Sequence, residues 1–391
     1  MISVNRALEI IKETSAPLMV SELIPVEESL NRVLSETIIA PLSMPPFRQS
    51  AMDGYALHLH EDHSYKVIGE VQAGDDLMPD LKAGEAIRIF TGGLVPDSAD
   101  AVVMQEKVTV EDSMIKLKSN PPKGSHLREV GEQLLAGTES LLKGTRLTPA
   151  GIALLKSMGI TKVKVSKLPR VSVMVTGNEL MEAGKPLQKG KIYESNSSMM
   201  ETALRQRKIS VSNVLRVKDS LEDTEAAMRE LMKDSDVIFI SGGVSVGDYD
   251  FVGKASNNLG ITQHFYRIKQ KPGKPMLYGK GNNTYILGLP GNPASTLTCL
   301  YVYGFTLLDI LTGAEQTGLT RIKLPISEDI VNPYGRALFL KAKTDRMGVT
   351  PLRLQQSSAI LSMAIANALI YIPEDVTQLK KGAHATCLLL P

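Results

Sequence analysis

The segment SGGVSVGDYD at 241–250 sets two carboxylates, Asp248 and Asp250, two residues apart behind paired glycines. Glycine lets backbone N–H groups come close to an anion, which marks Ser241, Gly242 and Gly243 as candidate ligand contacts. The carboxylates are hard oxygen donors of the kind Mg²⁺ prefers. A tight turn leading into a solvated helix start fits the same residues. KQKPGKP at 269–275 holds Lys269, Lys271 and Lys274 on a loop stiffened by two prolines and a glycine. Lysine is a compact positive charge suited to phosphate or another oxyanion. A solvated basic loop would look similar but would not need the prolines. GLPGNP at 288–293 follows the apolar run TYIL. Asn292 suits an N-cap and Pro293 a first helical turn, so the N–H groups near Gly291, Asn292 and Ser295 could meet an anion. An ordinary capped helix is the alternative.

Weaker candidates are Asp53 in SAMDGYA (50–56), Thr91 in FTGG (90–93) and Glu179 in TGNEL (176–180). Glu179 suits either a helix cap or a metal. Asp219 stands just before an expected helix, which it could cap. No G-x-S-x-G and no cysteine with a histidine partner appears, so no nucleophile–base pair is visible. The dinucleotide fingerprint and the P-loop pattern are also absent. His58, His60 and His63 cluster without a nearby cysteine, which reads as a surface loop rather than a zinc site. Anion-binding loops with carboxylates for a divalent metal fit phosphoryl or nucleotidyl chemistry, where positioning and charge neutralisation do most of the work.

These segments need a scaffold. From Pro169 onward strands and helices alternate: VSVMV (171–175) as a buried strand, a helix over 196–208, VSNVLRV as a strand, a helix over 220–233 capped by Ser220, and DVIFIS (236–241) running into Gly242. That alternation predicts a parallel α/β sheet with helices on both faces, whose ligands lie at the carboxyl ends of the strands. Residues 1–40 read as one or two helices, 67–142 as β-rich, and 148–159 as a short helix. A helix is expected near 293–312, and the last 70 residues read as a small β-barrel or sandwich, with Leu338, Leu340 and Ala342 alternating with Phe339, Lys341 and Lys343.

The 391 residues are 43% hydrophobic and 22% charged, which fits two to four globular domains at roughly 100–200 residues each. A net charge of +2 argues against bulk nucleic-acid binding but not against a local basic pocket. No long apolar run is apparent, so no membrane span is expected. Val4, Leu8 and Ile11 between charged residues predict a helix rather than a signal peptide. Cys299 and Cys387, far apart, suit a reducing cytoplasm.

Together the segments resemble the molybdopterin molybdenumtransferase family, MoeA, which includes the E domain of gephyrin. The matches are SAMDGYA, TGG, VVMQE (102–106), RxxGE (128–132), TGNEL, SGGVSVGDYD, KPGKP, GLPGNP and SSAILSMAIANALIYIP (357–373), in the family's order. The resemblance implies a multidomain α/β plus β protein in four parts. These are a discontinuous helical domain (1–40 and 140–168), a β-rich inserted domain (41–139), an α/β molybdopterin-binding domain (169–314) and a C-terminal β-barrel (315–391). It also implies a homodimer with the active site between the α/β domain of one subunit and the second domain of the other.

The implied reaction takes adenylylated molybdopterin and molybdate and, with Mg²⁺, releases AMP as molybdenum joins the dithiolene. By position in the motifs, the resemblance puts Asp53, Glu179, Asp219, Asp248 and Asp250 around nucleotide and metal, with Thr91 coming from the partner subunit. It assigns Lys271, Lys274, Ser295, Arg336 and Ser357 to molybdate or the pterin phosphate. The chain departs from the family at Gln133, where Asp is usual after RxxGE, at Arg48 and Gln49, and at Asn178. A molybdopterin adenylyltransferase is one alternative, disfavoured by the length of the chain, though such an enzyme could be a partner. A non-catalytic scaffold or specialised paralogue of the same fold is another, for which nucleotide binding with Mg²⁺ is the discriminating observation.

Overall fold

The computed structural model describes residues 1–76, 78–244 and 250–391; Asp248 lies outside them. The chain forms two compact units. One comprises Met1–Ser35, Gly144–Thr148 and Lys162–Pro391, the other Glu36–Lys143 and Pro149–Thr161.

The first unit is built on a six-stranded sheet in the order Val211–Val217, Val171–Thr176, Val237–Ser241, Thr284–Leu289, Pro275–Gly281, Thr262–Arg267. The first four strands run parallel, and the last two are antiparallel additions. The sheet is therefore mixed rather than parallel throughout. The reason is local: only Asn282 and Asn283 separate Pro275–Gly281 from Thr284–Leu289, and a two-residue connection joins antiparallel neighbours, never a crossover. Side chains alternate across the sheet. Val173, Val175, Phe239 and Leu287 face the helices Val4–Thr14 and Asn196–Arg205 and the helical run from Pro293. Met174, Ile238, Ile240 and Ile286 face Leu221–Leu231 and Phe251–Asn258.

The expectation of one or two helices over 1–40 holds only for Val4–Thr14, capped by Ser3. Ser21–Pro25 is instead a strand paired with Lys162–Ser166. Pro17 and Pro25 interrupt any helix there, and the strand's exposure alternates with a period of two, which suits a half-solvated strand. The expected absence of a long apolar run also needs correction. Pro293–Leu311 is apolar and long enough to cross a membrane by composition, yet 89% of it is buried within the fold. It is a core helix, apolar all round because it is covered all round.

A second sheet in this unit runs Gln270–Lys271, Ala337–Thr344, Ala368–Ile372, His384–Leu389, Arg321–Pro325. The parallel pairing of Lys271 with Leu338 brings the lysine loop beside Arg336. Elsewhere in the unit Asp309 is 2% exposed between two arginines, 2.7 Å from Arg146 and 3.3 Å from Arg207. Arg207 also stacks on Phe305. Asp309→Ala would leave both cations half-buried without their carboxylate. It is expected to lower the unfolding free energy by about 3 kcal/mol in a urea titration.

The second unit carries a sheet in the order Ala101–Met104, Gly54–Leu57, Glu85–Ile89, Ser64–Val71, Met114–Leu117, Val108–Glu111, in the region expected to be β-rich. Both faces are apolar: Ala56, Ile87 and Val102 lie on one, Tyr55, Ala86 and Val103 on the other. The short helix Pro149–Ser157 lies where TPAGIALLKSMG predicts it.

Candidate active site

A cavity of about 560 Å³ opens where the parallel strands end, walled by Thr176, Glu179, Asn196, Asp219, Ser241, Gly242, Gly243, Gly291, Asn292 and Ser358 among others. This is the crevice beyond the carboxyl ends of an α/β sheet, where such folds bind ligands. Seven of the residues singled out in the sequence meet in it: Glu179, Asp219, Ser241, Gly242, Gly243, Gly291 and Asn292.

Its floor is shaped by backbone. Gly242 and Gly243 have φ of +91° and +64°, the left-handed region that favours glycine. A Cβ on Gly242 would lie 2.4 Å from the Thr176 carbonyl oxygen. The loop at Gly291 packs 3.6 Å from the Gly242 Cα, measured from the Cβ position that Gly291 lacks. Asn196 clamps the two loops: its Nδ2 donates to Ser241 Oγ and to the Gly291 carbonyl, each at 2.8 Å. Thr296 Oγ1, one turn into the next helix, donates to the Pro290 and Asn292 carbonyls.

Two polar atoms in this wall, Thr176 Oγ1 and Asn196 Oδ1, are buried without a hydrogen-bond partner among the described residues. Buried polar atoms are nearly always satisfied, so an orphaned pair lining a cavity points to a ligand that satisfies them. Sequence reasoning missed both residues. Thr176 was readable only as the letter before the Gly-Asn-Glu turn, and Asn196 only as a helix start.

The carboxylates separate by role. Glu179 lies in a turn before the short strand Leu180–Met181, not at a helix, so the capping alternative falls. Its carboxylate is exposed. Ser220 caps the helix Leu221–Leu231 by accepting from Asp223 N, which frees Asp219 from that duty. Asp219 Oδ2 instead accepts from Asn178 N, and Asp219 N donates to Asn178 Oδ1, both at 3.2 Å. The departure at Asn178 thus holds Asp219 in place through its amide oxygen. Asp250 caps the helix Phe251–Asn258, accepting from Gly253 N at 3.0 Å and from the Tyr266 hydroxyl.

The cations gather by another route. Gly273, φ +87°, turns the lysine loop against the helix Pro293–Cys299 and the loop before it: a Cβ there would lie 2.5 Å from Cys299 Sγ and 3.9 Å from Pro290. Gln270 is fully buried beneath, donating to the Gly273 carbonyl and accepting from the Tyr303 hydroxyl. Burial pushes the Cys299 thiol up to about 12, so it is a packing residue and not a nucleophile. Lys271 Nζ sits 3.8 Å from the centre of the Tyr334 ring, and its hydrogen bond and charge pull the phenol below its ordinary value. Tyr334, which no sequence signal marked, therefore faces the cationic loop. Lys271, Lys274 and Arg336 have no carboxylate partner among the described residues. Ser295 is buried in the first turn of the helix Pro293–Cys299. Ser357 Oγ accepts from Asn292 Nδ2 at 3.1 Å, tying the second sheet's loop to the cavity rim.

In the second unit Asp53 and Thr91 come together: one Asp53 oxygen accepts from both the backbone N–H and the hydroxyl of Thr91 at 2.8 Å. The backbone bond and then the hydroxyl hold the carboxyl below its ordinary value, helped by the charge of Arg88. Arg48 donates to the carbonyls of Pro96, Asp97 and Ala99 and pairs with Glu129, so this departure braces a loop. Gln133 is exposed.

Comparison with known proteins matches three stretches of the chain. Residues 2–159 match the MoeA N-terminal region (domain I and II), 172–309 a probable molybdopterin binding domain, and 323–390 the MoeA C-terminal region (domain IV). The chain is 37% identical over 300 residues to a molybdopterin molybdenumtransferase of Haemophilus influenzae, covering 76% of this chain and 74% of the relative. It is 30% identical over 386 residues to one of Bacillus subtilis, covering 95% and 90%. Its fold is similar to the crystal structure of a molybdopterin biosynthesis MoeA protein from Pyrococcus horikoshii, with a TM-score of 0.85, 27% identity and complete coverage of both chains.

Proposed function

The chain belongs to the MoeA family of molybdopterin molybdenumtransferases, and from that premise we propose how it carries the reaction. It is an enzyme that transfers molybdenum to molybdopterin in molybdenum cofactor biosynthesis. In this reading the substrate arrives as adenylylated molybdopterin. Molybdate supplies the metal, the phosphoanhydride to AMP breaks, water supplies the oxygen that completes the released phosphate, and molybdenum bonds to both dithiolene sulfurs as one molybdate oxygen leaves with the two thiol protons as water.

The observation that carries the reading is the cavity at the strand ends, where the carboxylates of Glu179 and Asp219 share a wall with the glycine loops and the unpartnered polar atoms of Thr176 and Asn196. Three cations without a carboxylate partner among the described residues, Lys271, Lys274 and Arg336, stand on loops beside the second sheet, which reaches the cavity through the hydrogen bond from Asn292 to Ser357. The cations and the hydroxyls of Ser295 and Ser357 suit an oxyanion. The glycine loops of Gly242, Gly243 and Gly291 let backbone amides approach phosphate, and Thr176 and Asn196 offer fixed hydrogen-bonding atoms to the bound nucleotide.

Mg²⁺ keeps much of its water and binds through one or two carboxylates plus substrate phosphates. Glu179 and Asp219, on one cavity wall, fit that oxygen-only demand, whereas no cluster of three His, Cys, Asp or Glu exists among the described residues to form a protein-only cage. When bound, the ion would neutralise phosphate charge as the anhydride breaks. Asp250 and Asp248 are assigned to the same ion. Asp53 and Thr91 are assigned to the reaction from a partner subunit of a homodimer, with the four-part division of the chain as set out from the sequence. A cytoplasmic setting and hand-over from a molybdopterin adenylyltransferase belong to the same proposal.

The test is the molybdate requirement. Lys274→Ala is expected to raise the molybdate concentration for half-maximal AMP release roughly tenfold or more, about the loss of one charge-assisted contact. An unchanged requirement would remove the lysine loop from the oxyanion site.

A further inference from the structure

Lys341 is 2% exposed, in the middle of the strand Ala337–Thr344. Burying an ammonium is costly unless its hydrogens find acceptors, and no carboxylate pairs with this one among the described residues. Burial pulls its pKa down. Its Nζ donates instead to two backbone carbonyls, Gln356 at 2.9 Å and Ala359 at 3.2 Å. These carbonyls bracket Ser357 and Ser358.

The grip is doubled through the backbone. Lys341 N donates to Gln355 Oε1 at 3.0 Å, and Gln355 Nε2 returns a bond to the Lys341 carbonyl at 2.9 Å. Ser362 Oγ donates to the Ala359 carbonyl, closing the far side. The loop so held presents Ser357 to Asn292 at 3.1 Å and Ser358 to the cavity wall. An apolar residue would fill the slot of Lys341 without the desolvation cost but would leave the Gln356 carbonyl only Ala359 N and the Ala359 carbonyl only Ser362 Oγ, bonds within the segment itself that do not tie it to the strand. A short polar loop with little apolar anchoring needs such a fastener to stay closed.

We propose that Lys341 is a positioning residue for the transfer reaction, its buried ammonium clamping the 356–359 loop so that Ser357 stays fixed on the oxyanion side of the cavity. This rests on the reading that Ser357 holds the oxyanion.

The test is a double-mutant cycle in the full-length chain, comparing Lys341→Met, Ser357→Ala and the pair. The readout is the molybdate concentration for half-maximal AMP release, with calorimetric binding of AMP as the control for an intact strand-end cavity. Each single change is expected to raise the molybdate requirement roughly tenfold, as loss of a supporting contact does. The pair should cost no more than one of them, because both act through one hydroxyl. Lys341→Met should raise KM for molybdate more than it lowers kcat, and Lys341→Arg, which keeps donors, should recover most of the loss. Where Lys341→Met does not fold, Lys341→Gln, neutral and still a donor, is measured in its place with an intermediate shift expected. A folded Lys341→Met or Lys341→Gln with the wild-type requirement, or an additive double mutant, overturns the proposal. A silent Ser357→Ala overturns the underlying site reading and the proposal with it. An effect at Ser357 with none at Lys341 removes the proposal alone.

Discussion

Glu179→Gln is expected to slow AMP release at least about 100-fold while leaving the melting temperature unchanged. The magnitude is that of removing one preorganised charge from the group that meets developing or neutralised phosphate charge. The separation of activity from stability follows from geometry. Glu179 sits exposed in a turn on the cavity wall, capping no helix, so the fold loses nothing when its charge is removed. Asp250→Ala makes an instructive contrast, because that carboxylate also caps the helix Phe251–Asn258 and its loss costs about 1 kcal/mol of stability besides any catalytic effect. Steady-state AMP release and a thermal melt on the same Glu179→Gln sample decide the matter. Wild-type turnover would remove Glu179 from the reaction.

Gly242→Ala should be nearly as damaging, for a steric reason. The new Cβ would lie 2.4 Å from the Thr176 carbonyl oxygen, and the residue would keep a φ of +91°. The Thr176 backbone belongs to a buried parallel strand and cannot yield, so the Gly242 loop must move. A cost of about 1–3 kcal/mol is expected from the strained backbone. The functional loss is larger: the same loop is tied through Ser241 and Asn196 to the Gly291 carbonyl. Displacing such a constellation by about 1 Å can cost roughly 100-fold in rate. AMP affinity by calorimetry and the urea midpoint measure the two parts separately. A variant that binds AMP and turns over like the parent would show that the floor tolerates a shift.

The sequence made some of this legible and hid the rest for identifiable reasons. The alternation VSVMV, helix, VSNVLRV, helix, DVIFIS places the cavity before any coordinates exist, because strand ends of such sheets are where ligands go. Gly242 and Gly243 stood out because their residue type is demanded by the backbone they adopt. The hairpin around Asn282 and Asn283 was legible in principle, since so short a connection forbids a crossover, yet only TYIL after it stood out as an apolar run. The helix start at Asn292 was read from the cap, whereas Tyr334 and Lys341 were invisible. Tyr334 meets Lys271 only because residues 270–271 pair in parallel with 337–338 across a long stretch of chain. Lys341 follows a solvent-facing alternation in sequence, and its burial depends on which loop folds over it. Asp219 carried two readings, a cap or a contact to nucleotide and metal, and the cap goes to Ser220, which the sequence also offered.

The most direct test of the account is an anaerobic single-turnover assay of the full-length chain with adenylylated molybdopterin, Mg²⁺ and varied molybdate, following AMP and metallated pterin together. AMP release is expected to depend on molybdate and to match cofactor formed one for one. Tight binding of the adenylate with no molybdate-dependent release of AMP would contradict it.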